Sequence, residues 1–353
     1  MQFLQFTELG FTLLGMIETE PGFIIGPISI FFGAIINFIF NITAVITPVG
    51  VLGISIIIMN IVVRTLMLPM HFKMYKNTTK MQALKPEMDT IREKYKDAKD
   101  PELKRKMNIE IQQLYSKNNV NMFASCLPML VLMPIFFALM YIMRQSFLFI
   151  DDIGTIYSQL SYALIGAFDT TEGFVAVMRN IILPRIPTGM AIEMTYVSDL
   201  NRAVAVFTPA DWQQIFSHLS GDTLANVQQL YNAKNSMESF LGINLVAVSG
   251  LSWPGVVMPV LSAATSFITA WMMQINNKNA AAMPGQKLML FVFPLMMGFF
   301  TINISAGVGL WWTASNVYQI GQQYFITKYY NSEKYKQKEI IKQKNAKTKG
   351  DVK

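Results

Sequence analysis

Five apolar runs, at residues 49–70, 122–143, 254–275, 288–304 and 305–326, carry almost no charge, and each is near the roughly 20 residues that a helix needs to cross a bilayer. That feature constrains the chain more than any other. Of 353 residues 52% are hydrophobic and only 14% are charged, with a mean hydropathy of +0.34, which fits a membrane protein better than a soluble enzyme.

The net charge of +7 becomes informative when it is divided by segment, because Lys and Arg near span ends set membrane orientation. Residues 71–118 carry 12 Lys/Arg against 7 acids, residues 328–353 carry 9 against 3, and 276–287 carry 2 against none. Residues 144–253 carry 5 against 9, and residues 1–48 carry none against 3. The basic segments alternate with the five spans, which places the N-terminus outside and the C-terminus in the cytoplasm.

The domain reading follows. Residues 1–48 form an external N-terminal segment, 49–71 the first span, 72–120 a cytoplasmic helical hairpin and 121–147 the second span. An external helical insert occupies 148–239, an external link and the third span 240–275, a cytoplasmic loop 276–287, the fourth span 288–304, the fifth 305–327 and a basic cytoplasmic tail 328–353. The expected fold is an all-α polytopic membrane protein with five core transmembrane helices. Cys126 is the only cysteine, so neither an intramolecular disulfide nor a cysteine metal cluster is expected. The start "MQFLQFTELGFTLLGMIETEPG" has no basic n-region and carries Glu8, which argues against a cleaved signal peptide.

Before the first span, Ser29, Gly33, Asn37 and Asn41 recur every four residues and mark a weak polar stripe on a helix. That segment reads either as a helix lying flat at the interface or as a sixth span. Behind the first span, Met74, Met81, Leu84, Met88, Ile91 and Tyr95 follow a heptad seam. Asp100 reads as the N-cap of a second helix with Pro101 at its first position, and Leu103, Met107, Ile111 and Leu114 supply the facing stripe. The first arm, about 25 residues, would reach roughly 35–40 Å as one helix. The insert reads as irregular at first and helical from "FTPADWQQIFSHL", where Thr208, Pro209 and Asp211 make a helix start. His218 lacks a second ligand at metal spacing and reads as a surface or packing residue.

Arg64 stands inside "IIIMNIVVRTLMLPM", where an arginine at the centre of a span costs about 2.5–3.5 kcal/mol on insertion scales. Its side chain could snorkel toward the cytoplasmic end, roughly 9 Å away along the helix. Asn60, one turn earlier, makes the pair a polar stripe instead of one stray charge. In "GLWWTASNVYQIGQQYFI", Trp312, Asn316, Gln319 and Gln323 form a second stripe, which needs water, a partner helix or a ligand. Pro128 and Pro134 in the second span would each free a carbonyl and kink the helix, opening one side of a bundle. No H-E-x-x-H, G-x-S-x-G or G-x-x-x-x-G-K-[ST] motif occurs, so an enzyme or nucleotide-driven pump is not expected, nor any cofactor. An anion channel or small-molecule transporter remains the alternative on these residues alone.

Three stretches in order resemble the YidC/Oxa/Alb membrane protein insertases, Gram-positive type. "KMQALKPEMDTIREKYK" resembles the cytoplasmic hairpin, "LPMLVLMPIFFALMYIMR" the second core span and "SAGVGLWWTASNVYQIGQQYFI" the last, while "NIVVRTLMLPM" is similar to the first core span, with Arg64 at the groove arginine. The resemblance covers residues 22–147 and 240–328. It implies five core spans around a hydrophilic groove open to cytoplasm and lipid, an N-terminal helix lying flat on the outer face, and Thr269 as a further groove position. It also implies nascent membrane proteins as substrates, received in the groove and released laterally into the bilayer of the bacterial cytoplasmic membrane, alone or beside the Sec translocon. The ribosome would be met through the basic hairpin and tail, with no specific nucleic-acid sequence. Two features depart from the family pattern: the 148–239 insert, where compact members have a short loop, and the missing early cysteine for a lipid anchor.

Overall fold

The computed structural model describes residues 22–47, 49–96, 100–121, 127–186, 191–275 and 286–331. Cys126, part of the 276–287 loop and the tail beyond residue 331 lie outside them. The chain forms two compact units, one from residues 1–62, 131–264 and 294–314, the other from 63–130, 265–293 and 315–353.

The helices in chain order are α1 (Ile25–Ile46), α2 (Val51–Leu66), α3 (Leu68–Ala83), α4 (Lys85–Lys94), α5 (Pro101–Lys117) and α6 (Leu127–Arg144). There follow α7 (Asp151–Thr170), α8 (Phe174–Ile182), α9 (Val197–Ala205), α10 (Pro209–His218) and α11 (Gly221–Glu238). A two-residue antiparallel hairpin, β1 (Ser239–Phe240) and β2 (Ile243–Asn244), leads to α12 (Val257–Ile275), α13 (Gln286–Ile302) and α14 (Ala306–Asn331). Among the described residues, α1 alone is a single helix long and apolar enough to cross a membrane, and α2 with α3 passes the same test as a pair bent by 55°.

In the first unit, the polar stripe of α1 faces protein at Ser29, Gly33 and Asn37, while Asn41 is exposed. Ser29 and Gly33 are buried, and a Cβ on Gly33 would collide with the Phe149 ring. Asn37 donates to the Asp151 carboxylate at 2.7 Å and accepts from the Asp151 amide at 3.1 Å, joining α1 to the start of α7. The early part of the insert, expected to be irregular, is helical in α7 and α8. Ile153, Tyr157, Leu160, Leu164 and Ala167 alternate by four and three along α7 and are buried, while Asp151 and Asp152 suit the positive end of its dipole. Thr208 and Asp211 form the capping box of α10, and Asp211 also pairs with Arg185 at 2.6 Å. His218 closes that helix, its Nδ1 2.8 Å from the Gln214 carbonyl oxygen.

A buried ion pair ties this insert together. Glu238, fully buried on α11, accepts from Tyr157 Oη at 2.7 Å, from Lys234 Nζ at 2.8 Å and from Asn244 Nδ2 at 3.3 Å. Burial and the neighbouring Glu238 carboxylate push the Tyr157 phenol well above its ordinary range, so Tyr157 stays a donor. Phe240 then wedges against Gly50 and Gly53, where a Cβ on Gly53 would collide with the ring. The following segment pairs with the start of α14, Gly307 N–H donating to the Leu245 carbonyl at 2.7 Å and Ala306 N–H to Ala247 at 2.9 Å.

In the second unit, the arm expected as one unbroken helix is two. Leu84 separates α3 from α4, because Pro86 has no N–H to continue the ladder. Leu84, Met88, Tyr115 and Val120 form a small core, with Met81, Ile111 and Leu114 packed on it. Asp100 caps α5 by accepting from the Glu102 amide at 2.9 Å, with Pro101 at the first position. Lys94 and Glu110 pair at 3.0 Å on the surface, which raises the lysine pKa and lowers the carboxyl's. An exposed pair of this kind contributes little, and only above the pH at which Glu110 protonates.

Removing one member of the buried pair should cost more than removing both. Glu238→Ala leaves Lys234 buried without its counter-charge and should lower the stability of the insert by about 3–5 kcal/mol. The double variant Glu238→Leu with Lys234→Met should recover most of that loss. Thermal unfolding followed by protease susceptibility of residues 151–244 measures both; equal losses for single and double variants would remove the charge argument.

Candidate functional site

Each unit buries polar side chains inside apolar helices that display large hydrophobic residues outward. On α13, Leu295 is 70% exposed and Phe299 59%; on α14, Phe325 is 70% exposed. Such surfaces suit lipid, not water.

In the first unit, Asn60 is completely buried on α2 and its Nδ2 donates to the Trp311 carbonyl at 3.3 Å. Trp312 is half-buried, edge-on to the Phe136 ring at 6.0 Å. Ser262 lies within 3.4 Å of the Thr313 hydroxyl and 3.5 Å of the Gly309 carbonyl, a close approach that small residues permit. Pro134 lies inside α6, where it leaves the Leu130 carbonyl without its helical donor; Pro128 is the second residue of that helix as described.

In the second unit, Arg64 occupies the last turn of α2 and is only 7% exposed. Its Nε finds no hydrogen-bond partner among the described residues. Thr65 Oγ1 and Tyr318 Oη share a hydrogen bond at 3.0 Å. Just beyond, the chain bends: Pro69 has no N–H for the Thr65 carbonyl, and the amides of Met70 and His71 both turn to the Met67 carbonyl at 3.1 Å. The first span expected over 49–71 is thus a bent element whose arginine precedes the break.

The α14 stripe divides by role. Asn316 donates to Thr265 Oγ1 at 3.0 Å and Ser266 Oγ at 2.9 Å, so this amide links α14 to α12. Gln319 is half-buried, and Gln323 donates to Thr327 one turn on at 3.3 Å. Thr269 uses its hydroxyl on its own helix, donating to the Thr265 carbonyl at 2.8 Å. Sequence reasoning missed Thr265, Ser266, His71 and Gln322. For α12 the signal was present, since Ser262, Thr265, Ser266 and Thr269 recur at helical spacing. Of the adjacent glutamines, Gln322 is the buried one, at 8% exposure.

Among the described residues no group of three His, Cys, Asp or Glu side chains is placed to hold a metal.

Apolar outer faces over buried polar side chains define a helical membrane protein. Residues 44–334 match the family model described as 60Kd inner membrane protein. The chain belongs to that family. It is 26% identical over 274 residues to the membrane protein insertase YidC 2 of Bacillus anthracis, covering 78% of this chain and 71% of that protein. To YidC of Streptomyces avermitilis it is 28% identical, covering 78% and 50%, and to YidC of Fusobacterium nucleatum 27% identical, covering 79% and 88%.

Replacing Asn316 with alanine deletes two hydrogen bonds from a buried helix contact and should lower stability by about 1–3 kcal/mol. Gln323→Ala, which loses only a bond within its own helix, should change little. Unfolding midpoints in detergent micelles compare them; equal midpoints would contradict the assigned roles.

Proposed function

We propose that this chain is a membrane protein insertase of the bacterial cytoplasmic membrane, multi-pass, with its N-terminus outside and its C-terminus in the cytoplasm. The observation that carries the reading is Arg64, a nearly buried guanidinium within an apolar helix of a chain whose relatives are named insertases. An arginine kept there at a cost of about 2.5–3.5 kcal/mol needs a compensating use.

Arg64, Asn60, Trp312, Asn316, Gln319, Gln323 and Thr269 form the walls of a hydrophilic groove open to cytoplasm and lipid. The i, i+4 placement of Asn60 and Arg64 on α2 and the repeated amides of α14 support it. A short substrate segment on the ribosome meets the basic 72–120 hairpin and the 328–353 tail, drawn by the negative charge of ribosomal RNA without regard to its sequence. The polar external end of the substrate then enters the groove, where hydrogen bonds offset its desolvation and a carboxylate pairs with Arg64. The apolar part leaves sideways into lipid past α6, which Pro134 weakens. Burial of the substrate's own span supplies the driving force, so neither a nucleotide nor catalysis is needed, alone or beside the Sec translocon. The segment 25–46 lies along the outer interface and the 148–239 insert stands outside.

Purified protein in liposomes should insert a small single-span test protein unaided. Arg64→Lys should retain this activity and Arg64→Ala should lose about tenfold or more, the worth of one charge-assisted hydrogen bond. Ion flux without insertion would instead support an anion channel. Deleting residues 332–353 should weaken ribosome binding most at low salt; an unchanged salt dependence would exclude the tail from the encounter.

A further inference from the structure

Gln322 is the most costly side chain in α14 that the proposed groove does not use. It is buried, and neither its Nε2 nor its Oε1 has a hydrogen-bond partner among the described residues. An amide buried with both ends unmet is destabilising by itself, so its place calls for an explanation.

Its neighbours are fixed by two contacts of α14. Tyr318, one turn before Gln322, bonds to Thr65 at the end of α2. Tyr329, two turns after it, packs edge-on against Phe72 of α3 at 6.2 Å. Residues 318, 322 and 329 lie on one helical face, since steps of four and seven return to the same side. Gln322 thus shares the face of α14 whose other residues meet the chain at Thr65 and at Phe72. The stretch between them contains the bend at Met67, where the Thr65 carbonyl has lost its helical donor to Pro69, and His71, which is 6% exposed with its Nε2 unpartnered among the described residues.

The chemistry of this cluster differs from that of Arg64. A guanidinium only donates and selects carboxylates, whereas a carboxamide presents a donor and an acceptor side by side. The group complementary to it is another amide, and the amide common to every polypeptide is the peptide bond. The freed Thr65 carbonyl adds an acceptor for a second N–H. Resting on the insertase reading, we propose that Gln322 and the α2–α3 bend form a main-chain binding site, which pairs with one peptide unit of the passing substrate whatever its side chains. Arg64 responds to the substrate's charge; Gln322 responds to its backbone. A site of this kind lets one groove accept unrelated sequences, as strand-adding peptide sites do.

The test is binding of a synthetic, fluorescently labelled single-span peptide to the full chain in nanodiscs, a measurement that needs no insertion. Gln322→Leu should weaken binding roughly three- to tenfold for acidic and neutral peptides alike. It should also raise the unfolding midpoint by about 2 °C, because it removes an unmet polar group. A peptide series carrying one N-methylated amide at successive positions should contain a position that weakens binding to the original chain but not to the Gln322→Leu variant. Unchanged affinity in Gln322→Leu overturns the proposal, as does a lowered midpoint without loss of affinity, which would make Gln322 a structural amide. Failure of the original chain to insert protein while it binds peptide in this pattern would overturn the insertase reading and leave the site standing.

Discussion

A polar group in an apolar interior must be satisfied by something, and this requirement organises both units. Asn316, Thr265 and Ser266 meet it by bonding across helices, and the Asn60 Nδ2 does the same. Glu238 meets it with three donors at once. Arg64, His71 and Gln322 meet it incompletely among the described residues. The contrast shows which buried polar side chains also hold helices together, a distinction that hydropathy alone cannot draw.

Much of this was legible in the sequence, and the reasons differ by element. The capping box at Thr208 and the N-cap at Asp100 could be read because capping chemistry is local, set by residues two or three apart. The seam residues Leu84, Met88, Ile111 and Leu114 could be read because a heptad records which face is buried. Arg64 and Asn60 stood out because charge and amide are rare in such runs.

The remainder depended on what lies across from each residue. Gln323 and Gln322 are neighbours of identical chemistry, and only the rotation of α14 against its neighbours decides which is buried. The helicity of α7 was masked by two glycines, Gly154 and Gly166; at the first, close approach to the Phe147 carbonyl leaves no room for a Cβ. Pro69 and Pro86 are break signals that the sequence reading passed over, because the heptad pattern on either side of Pro86 suggested a continuity that its missing N–H forbids.

The reciprocal pair of bonds between Asn77 and Asn121 has a kinetic meaning. The Asn77 amide donates to the Asn121 carbonyl at 2.7 Å and its oxygen accepts from the Asn121 amide at 3.0 Å, so residues 78–120 form a loop clasped at its base. Within the clasp, the small core joins residues close in sequence, and contacts of that kind form early and fast. Every residue of the clasp precedes residue 122, so it can close without any of the helices that follow. The basic arm is thus a unit that can reach its final shape from its own residues and keep it whatever the later helices do.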